Sequence, residues 1–201
     1  MLHLYDHAES GNCYKIRLLL THLGIPFTRE ELSVVGDRDA QRGESYFEKT
    51  TTGKIPALVL DDGTVLVESA SILWYFAEGT EFLPGEKLDR ARVVQWLTFE
   101  QNSIEPAIAV ARHQIGLEKE TPSPEQLAAW QAGGHRSLRV MERHLTEHDW
   151  FVGGRYSIAD IAVYGYTHVA SEGGFELDAY PAVRAWHERV TKVPGHIGLR
   201  D

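Results

Sequence analysis

One cysteine, Cys13, stands in 201 residues. A single thiol makes no intramolecular disulfide, and a cysteine-based zinc site lacks its second ligand. Positive charge is in deficit, since 20 Lys and Arg against 29 Asp and Glu leave a formal charge of -9. That balance argues against nucleic acid or an anionic membrane as a partner, and no basic patch with interleaved aromatics appears. Long apolar runs are missing too. Residues 16–22 are too short and polar-interrupted for the apolar core of a signal peptide. Nothing approaches the roughly 20 residues of a membrane-spanning helix. A phosphate-binding glycine loop, an internal repeat and a low-complexity tract are also lacking. The expectation is a soluble, cytoplasmic protein.

The chain has length for one large domain or two small ones. Residues 1–5 are short and apolar, 6–12 read as a loop, and 13–23 carry helical spacing that stops at Gly24. Residues 26–32 read as a strand, 33–52 are poorly patterned, and two short apolar runs then flank Asp61-Asp62-Gly63. A helix from 69 to about 78 follows. The order βαβ–ββα predicts one mixed sheet with helices against it. From 79 to 85 the chain reads as a linker, and strand signals almost vanish afterwards. Residues 88–113 are helical with a break at Pro106, and 125–148 are helical again. Ser157 with Asp160 three residues on is a capping box, and Pro181 opens a last helix. Domains are therefore expected at 1–79 and 87–201, α/β first and all-helical second.

The segment from Gly53 to Ile72 carries the first chemical signal. Proline within sheets is confined to edges, strand starts or bulges. A cis Ile55-Pro56 bond would leave the Ile55 N–H and C=O to pair with an extended guest, a form of strand addition. Glu68 suits an ammonium group, while the Ser69 hydroxyl and the first-turn N–H groups suit a carboxylate. A γ-glutamyl end carries both charges on one carbon. An ordinary buried hairpin leading to a serine-capped helix fits the same spacing.

A second signal lies at Ser10-Gly11-Asn12-Cys13-Tyr14-Lys15, where the first strand turns into the first helix. Thioredoxin-like redox proteins place Cys-x-x-Cys at such a turn, where the helix N-terminus lowers a thiol pKa. Here Ser10 takes the first position. It cannot attack a disulfide, but it can donate a hydrogen bond to a thiolate brought in by a ligand. A plain helix-capping serine is the competing reading.

With these strings the chain resembles a cytosolic glutathione S-transferase of the serine type (theta, delta and nu classes). The resemblance rests on residues 10–18, 53–58, 68–72 and 151–160 in that order, and it spans essentially the whole chain. It implies a thioredoxin-like N-terminal domain, an all-α C-terminal domain, glutathione as co-substrate and a homodimer. Ser10 would hydrogen-bond the glutathione sulfur, with Asn12 near it. Ile55 would pair with the cysteinyl unit. Glu68 and Ser69 would hold the γ-glutamyl end, and Lys54 and Arg42 would lie near the glycyl carboxylate. Tyr5 is a rival to Ser10, and Cys13 reads as structural. Thr50-Thr51 departs from the Asn-Pro often found there.

Magnitudes support a serine. Lowering a thiol pKa of about 8.5 by about two units takes roughly 2.7 kcal/mol. One hydrogen bond to a charged sulfur supplies about 1.5–3 kcal/mol, and a helix N-terminus adds about 0.3–1. The expected activity is conjugation of glutathione to a small apolar electrophile. Glutathione-dependent disulfide or peroxide reduction, and a non-catalytic binding or scaffold module, are the alternatives. His144 and His148, four apart, are weak metal candidates without a third ligand nearby.

Overall fold

A computed structural model describes residues 1–36 and 42–201. The chain forms two units: residues 1–78 together with 194–201, and residues 79–193. Of the poorly patterned stretch 33–52, residues 37–41 lie outside the described residues.

In the first unit, β1 (Leu2–Asp6) alternates buried and half-buried positions. Next come α1 (Gly11–His22), β2 (Phe27–Glu31), α2 (Glu44–Thr50), β3 (Ala57–Val59), β4 (Val65–Val67) and α3 (Ser69–Ala77). The sheet order is β2-β1-β3-β4, with β1 and β2 parallel and the other pairs antiparallel. This is the mixed sheet that the pattern predicts and the α/β, thioredoxin-like arrangement that the resemblance implies. Helix α1 ends as expected at Gly24, whose φ is 65°. The Ile25 N–H bonds Leu20 O at 3.0 Å, closing a Schellman turn. The pattern gave no sign of α2. Its N-cap is Gly43, which offers no side chain to the first turn, so the usual start signal is absent.

Helix α1 is buried along most of its length, Lys15 and Arg17 included, each 1% exposed. The chain's last residues form part of that cover. Tyr14 Oη donates to Ile197 O at 2.7 Å, and Arg17 donates to Leu199 O at 2.7 Å and Asp201 O at 3.0 Å. Residues 194–201 therefore belong with the first unit and not with the helical domain expected over 87–201. Side chains of α1 capture the tail's carbonyl oxygens, and that capture moves the boundary.

The second unit is helical: α4 (Lys87–Phe99), α5 (Pro124–Leu145), α6 (Ile158–Thr167), a 3-10 turn (Ala170–Gly173) and α7 (Pro181–Val190). The predicted break at Pro106 does not occur. Helix α4 runs on as π-helix through Glu100–Ala109, with Pro106 inside it. Wider i→i+5 pairing carries the chain past the pyrrolidine ring. Residues 79–85 are not a free linker. Phe82 and Leu83 are buried, and Phe82 O accepts from Ile158 N at 3.0 Å.

Asp160, fully buried, organises this unit. Its Oδ1 accepts from Phe151 N at 3.2 Å and Trp186 Nε1 at 3.0 Å. Its Oδ2 accepts from Ser157 N at 3.0 Å and Ser157 Oγ at 3.2 Å. The capping box thus anchors the 151 loop and α7 as well as the start of α6. Burial pushes the Asp160 carboxyl up to about 7, against the downward pull of these hydrogen bonds.

Candidate functional site

Register places the candidate residues at one end of the sheet. Tyr5 in β1 faces Ala57 in β3, and Ala57 faces Val67 in β4. The loop leaving β1, the Ile55-Pro56 step entering β3 and the Glu68-Ser69 step leaving β4 therefore converge. Helices α1 and α3 both start there, so two sets of first-turn N–H groups, without intrahelical acceptors, open onto the same end.

Ser10 is the N-cap of α1, and its Oγ accepts from Cys13 N at 3.2 Å. The capping reading and the catalytic one are compatible: the oxygen serves the helix, and the hydroxyl, which also lies in hydrogen-bonding reach of the Cys13 side chain, has one hydrogen to donate. The loop before it is pinned. Ser10 N donates to His7 O at 3.0 Å, Glu9 N to His7 Nδ1 at 3.0 Å, and Arg200 makes a two-point contact with Glu9 at 2.6 and 2.9 Å. Beneath the loop, buried Asp6 lies between Arg29 (2.5 Å) and Arg17 (3.3 Å), and Arg17 also donates to Ala8 O at 3.2 Å.

Asn12, half-buried in the first turn of α1, joins the two helix starts. Its Oδ1 accepts from Ser69 Oγ at 3.1 Å and from Lys15 Nζ at 2.7 Å. The sequence reading missed Lys15. On a helix, lysine normally reads as a solvated side chain, and only its 1% exposure marks it as part of the site.

At Ile55 the bond to Pro56 is cis, and β3 pairing begins only at Ala57. Ile55 thus precedes the ladder, as an edge for an extended guest requires. The turn before it depends on Gly53, which has φ 63°; a Cβ there would stand 1.9 Å from the Phe47 ring. Arg42 Nη1 donates to Gly53 O and Nη2 to Ser33 O at 3.0 Å, while Tyr46 Oη donates to Lys54 O at 2.8 Å. Arg42 therefore shapes this loop through two of its nitrogens. Its Nε is buried without a hydrogen-bond partner among the described residues. The Lys54 side chain is exposed.

Glu68 is exposed and holds φ 66°, ψ 116°. A non-glycine residue in that region costs on the order of 1–3 kcal/mol, and such strain concentrates at binding sites. Next to it, Ser69 is 5% exposed and opens α3.

The rival residues have other engagements. The Tyr5 ring packs edge-on against His3 and Tyr46, each at 5.0 Å. Cys13 is wholly buried, and burial pushes its thiol well above the usual range, which removes the reactive thiolate. The His144 and His148 rings stack at 4.4 Å, with His144 Nε2 3.3 Å from Trp150 O and His148 Nδ1 3.0 Å from His144 O. One nitrogen of each ring is thus engaged by a backbone carbonyl.

Comparison with known families matches residues 9–78 to the glutathione S-transferase N-terminal domain and 124–189 to the glutathione S-transferase C-terminal domain. The disulfide-bond oxidoreductase YfcG of Escherichia coli K12 is 30% identical over 201 residues, covering 96% of this chain and 92% of that protein. Mouse glutathione S-transferase theta-1 is 27% identical over 212 residues, covering 100% of this chain and 87% of that protein. A crystal structure of a glutathione S-transferase from Pseudomonas fluorescens superposes with a TM-score of 0.94 at 44% identity, covering 100% of this chain and 99% of that one.

Proposed function

The chain belongs to the glutathione S-transferase family, and from that premise we propose that it binds glutathione in its first unit and transfers the thiolate to small apolar electrophiles. The carrying observation is the convergence at one sheet end of the Ser10 hydroxyl, the Asn12–Ser69 link and the Ile55 edge, which precedes the β3 ladder. In this reading the Ile55 backbone pairs with the cysteinyl unit and brings the sulfur toward Ser10. Glu68 takes the γ-glutamyl ammonium, and Ser69 with the α3 N-terminus takes its carboxylate. Lys54 serves the glycyl carboxylate, with Arg42 holding the Gly53 turn beside it. Ser10 donates to the sulfur and favours the thiolate. The sulfur lone pair then attacks an electrophilic carbon, a carbon–sulfur bond forms, and the leaving group departs or the adduct takes up a proton.

One observation favours a second reading. YfcG, a disulfide-bond oxidoreductase, matches over 96% of the chain. In that reading the glutathione thiolate attacks a disulfide, forms a mixed disulfide and releases a thiolate. A second glutathione resolves it, and Cys13, buried, takes no part. Loss of activity altogether would leave a glutathione-binding module.

A panel of a chlorodinitrobenzene-type electrophile, a mixed glutathione disulfide and an organic hydroperoxide separates these readings. Turnover of the electrophile alone supports conjugation. Disulfide reduction that persists in Cys13→Ser supports the second reading, and glutathione binding without turnover supports the third.

The Glu68 backbone gives an independent expected result. Glu68→Gly relieves the positive-φ strain and is expected to stabilise the first unit by about 1 kcal/mol. The same change deletes the group facing the ammonium and is expected to weaken glutathione binding at least about tenfold. Thermal melts and calorimetric titration of one variant measure both. Unchanged affinity would remove Glu68 from the site.

A further inference from the structure

The turn that leads into α1 is closed twice by one residue. His7 O accepts from Ser10 N at 3.0 Å, the ordinary closure of a β-turn with Ala8 and Glu9 at its corner. His7 Nδ1 accepts in addition from Glu9 N at 3.0 Å. A backbone N–H only donates, so Nδ1 carries a lone pair there. The ring's hydrogen then sits on Nε2, 3.9 Å from Glu31 Oε1. A side-chain bond to the N–H two residues on is what Asp and Asn make when they open a turn. Here a histidine takes that role.

The peptide between Ala8 and Glu9 is the middle unit of this turn, and turn types I and II differ by a rotation of that unit. Both of its polar ends are held. Its N–H meets His7 Nδ1, and its carbonyl oxygen accepts from Arg17 Nη2 at 3.2 Å. Arg17 is itself fixed, being 1% exposed, 3.3 Å from Asp6 and 2.7 Å from Leu199 O. Ser10 ends the turn and begins the helix, so the place of its hydroxyl follows from the turn's conformation.

We propose that His7 is the positioning residue for Ser10, its Nδ1 holding the turn in the conformation that presents the Ser10 hydroxyl to a glutathione sulfur. In this role His7 touches neither the ligand nor the reacting atoms; it acts through the backbone. The inference rests on the reading of this sheet end as the glutathione site.

Two amides separate the ring's two nitrogens. Asn carries its oxygen as many bonds from the backbone as Nδ1, and Gln carries its amide as many bonds out as Nε2. Ultraviolet titration of the glutathione thiol in the bound complex reads the result. His7→Gln is expected to raise the bound thiol pKa by about half to one unit, whereas His7→Asn is expected to leave it at the wild-type value. His7→Leu is expected to behave as His7→Gln and serves if the Gln variant loses its fold. Affinity for S-methylglutathione, which has no thiol to ionise, is expected to change less than about twofold in every variant. Adding His7→Gln to Ser10→Gly is expected to change nothing further.

An unchanged pKa in both His7→Gln and His7→Leu overturns the proposal. A rise in His7→Asn as large as in His7→Gln also overturns it, because the ring's bulk and not its Nδ1 would then matter. A rise in His7→Asn alone would assign the effect to the Nε2 side and Glu31, and a further rise in the Ser10→Gly background would mean that His7 acts directly; either overturns it. A wild-type complex whose thiol is not acidified would instead remove the reading of the site, so the two failures are distinguishable.

Discussion

Replacing Ser10 by Gly is expected to raise the pKa of the bound glutathione thiol by about one to two units, the equivalent of one charged hydrogen bond. Glycine is the informative substitution because Ser10 also caps α1 through Cys13 N. Alanine at an N-cap costs about 0.5–2 kcal/mol, whereas glycine costs only a few tenths relative to serine. Fold is thereby largely kept while the hydroxyl is removed. With the bound thiol starting at about 6.5, the thiolate fraction at pH 7 falls roughly three- to twenty-five-fold, and conjugation with it. Near pH 10 the thiol ionises without help, and the variant's rate is expected to approach the wild type's within a fewfold. Rates against pH for both proteins supply the measurement. A variant whose profile overlays the wild type's would exclude Ser10 as the sulfur's donor, and one uniformly slow at every pH would show a positional defect instead.

The second large effect is expected in the helical unit. Asp160→Ala leaves Phe151 N, Trp186 Nε1, Ser157 N and Ser157 Oγ without their acceptor. A buried donor left unsatisfied costs about 1–3 kcal/mol, so a loss of at least about 3 kcal/mol is expected from these donors together. The pH dependence carries a sign. The Asp160 carboxyl stands near 7 when folded and near 3.8 when free, so the folded unit binds the extra proton between those values. Its contribution is complete below about pH 4 and is lost as pH rises through about 7. Denaturant melts of the two proteins are therefore expected to differ most at about pH 4 and below, with the gap narrowing toward pH 8. A gap that is constant or widens with pH would contradict a raised carboxyl. The site in the first unit is tested separately, through glutathione affinity at a temperature where the variant is folded.

These residues also mark which features a sequence can announce. Ser157 and Asp160 form a signal within four residues, and Gly24 and Pro56 punctuate the chain by backbone chemistry alone, so all were legible. Helix α2 was not, because Gly43 caps it without a side chain. The continuation through Pro106 was hidden because proline is a breaker of α-helical pairing, and the wider pairing leaves no local mark. Lys15 escaped for a different reason: its partner lies on its own helix, but its burial comes from the fold around it. The tail was least legible, since Arg17 meets Asp201 O across 184 positions of chain. Residues read well where their role is a backbone or capping role. Residues that hold others in place read poorly, since their meaning depends on what is buried against them.

The placement of residues 194–201 against α1 bears on how the protein is made. Translation supplies every strand of the first unit early, yet the carbonyl oxygens that Arg17 and Tyr14 bond emerge from the ribosome only after residues 79–193. The helical unit, contiguous over residues 79–193, has its full sequence in hand before that moment. Domains commonly fold in order from the N-terminus during synthesis; here the first unit is completed only after the second has been made, and its buried arginine waits for residues 199 and 201.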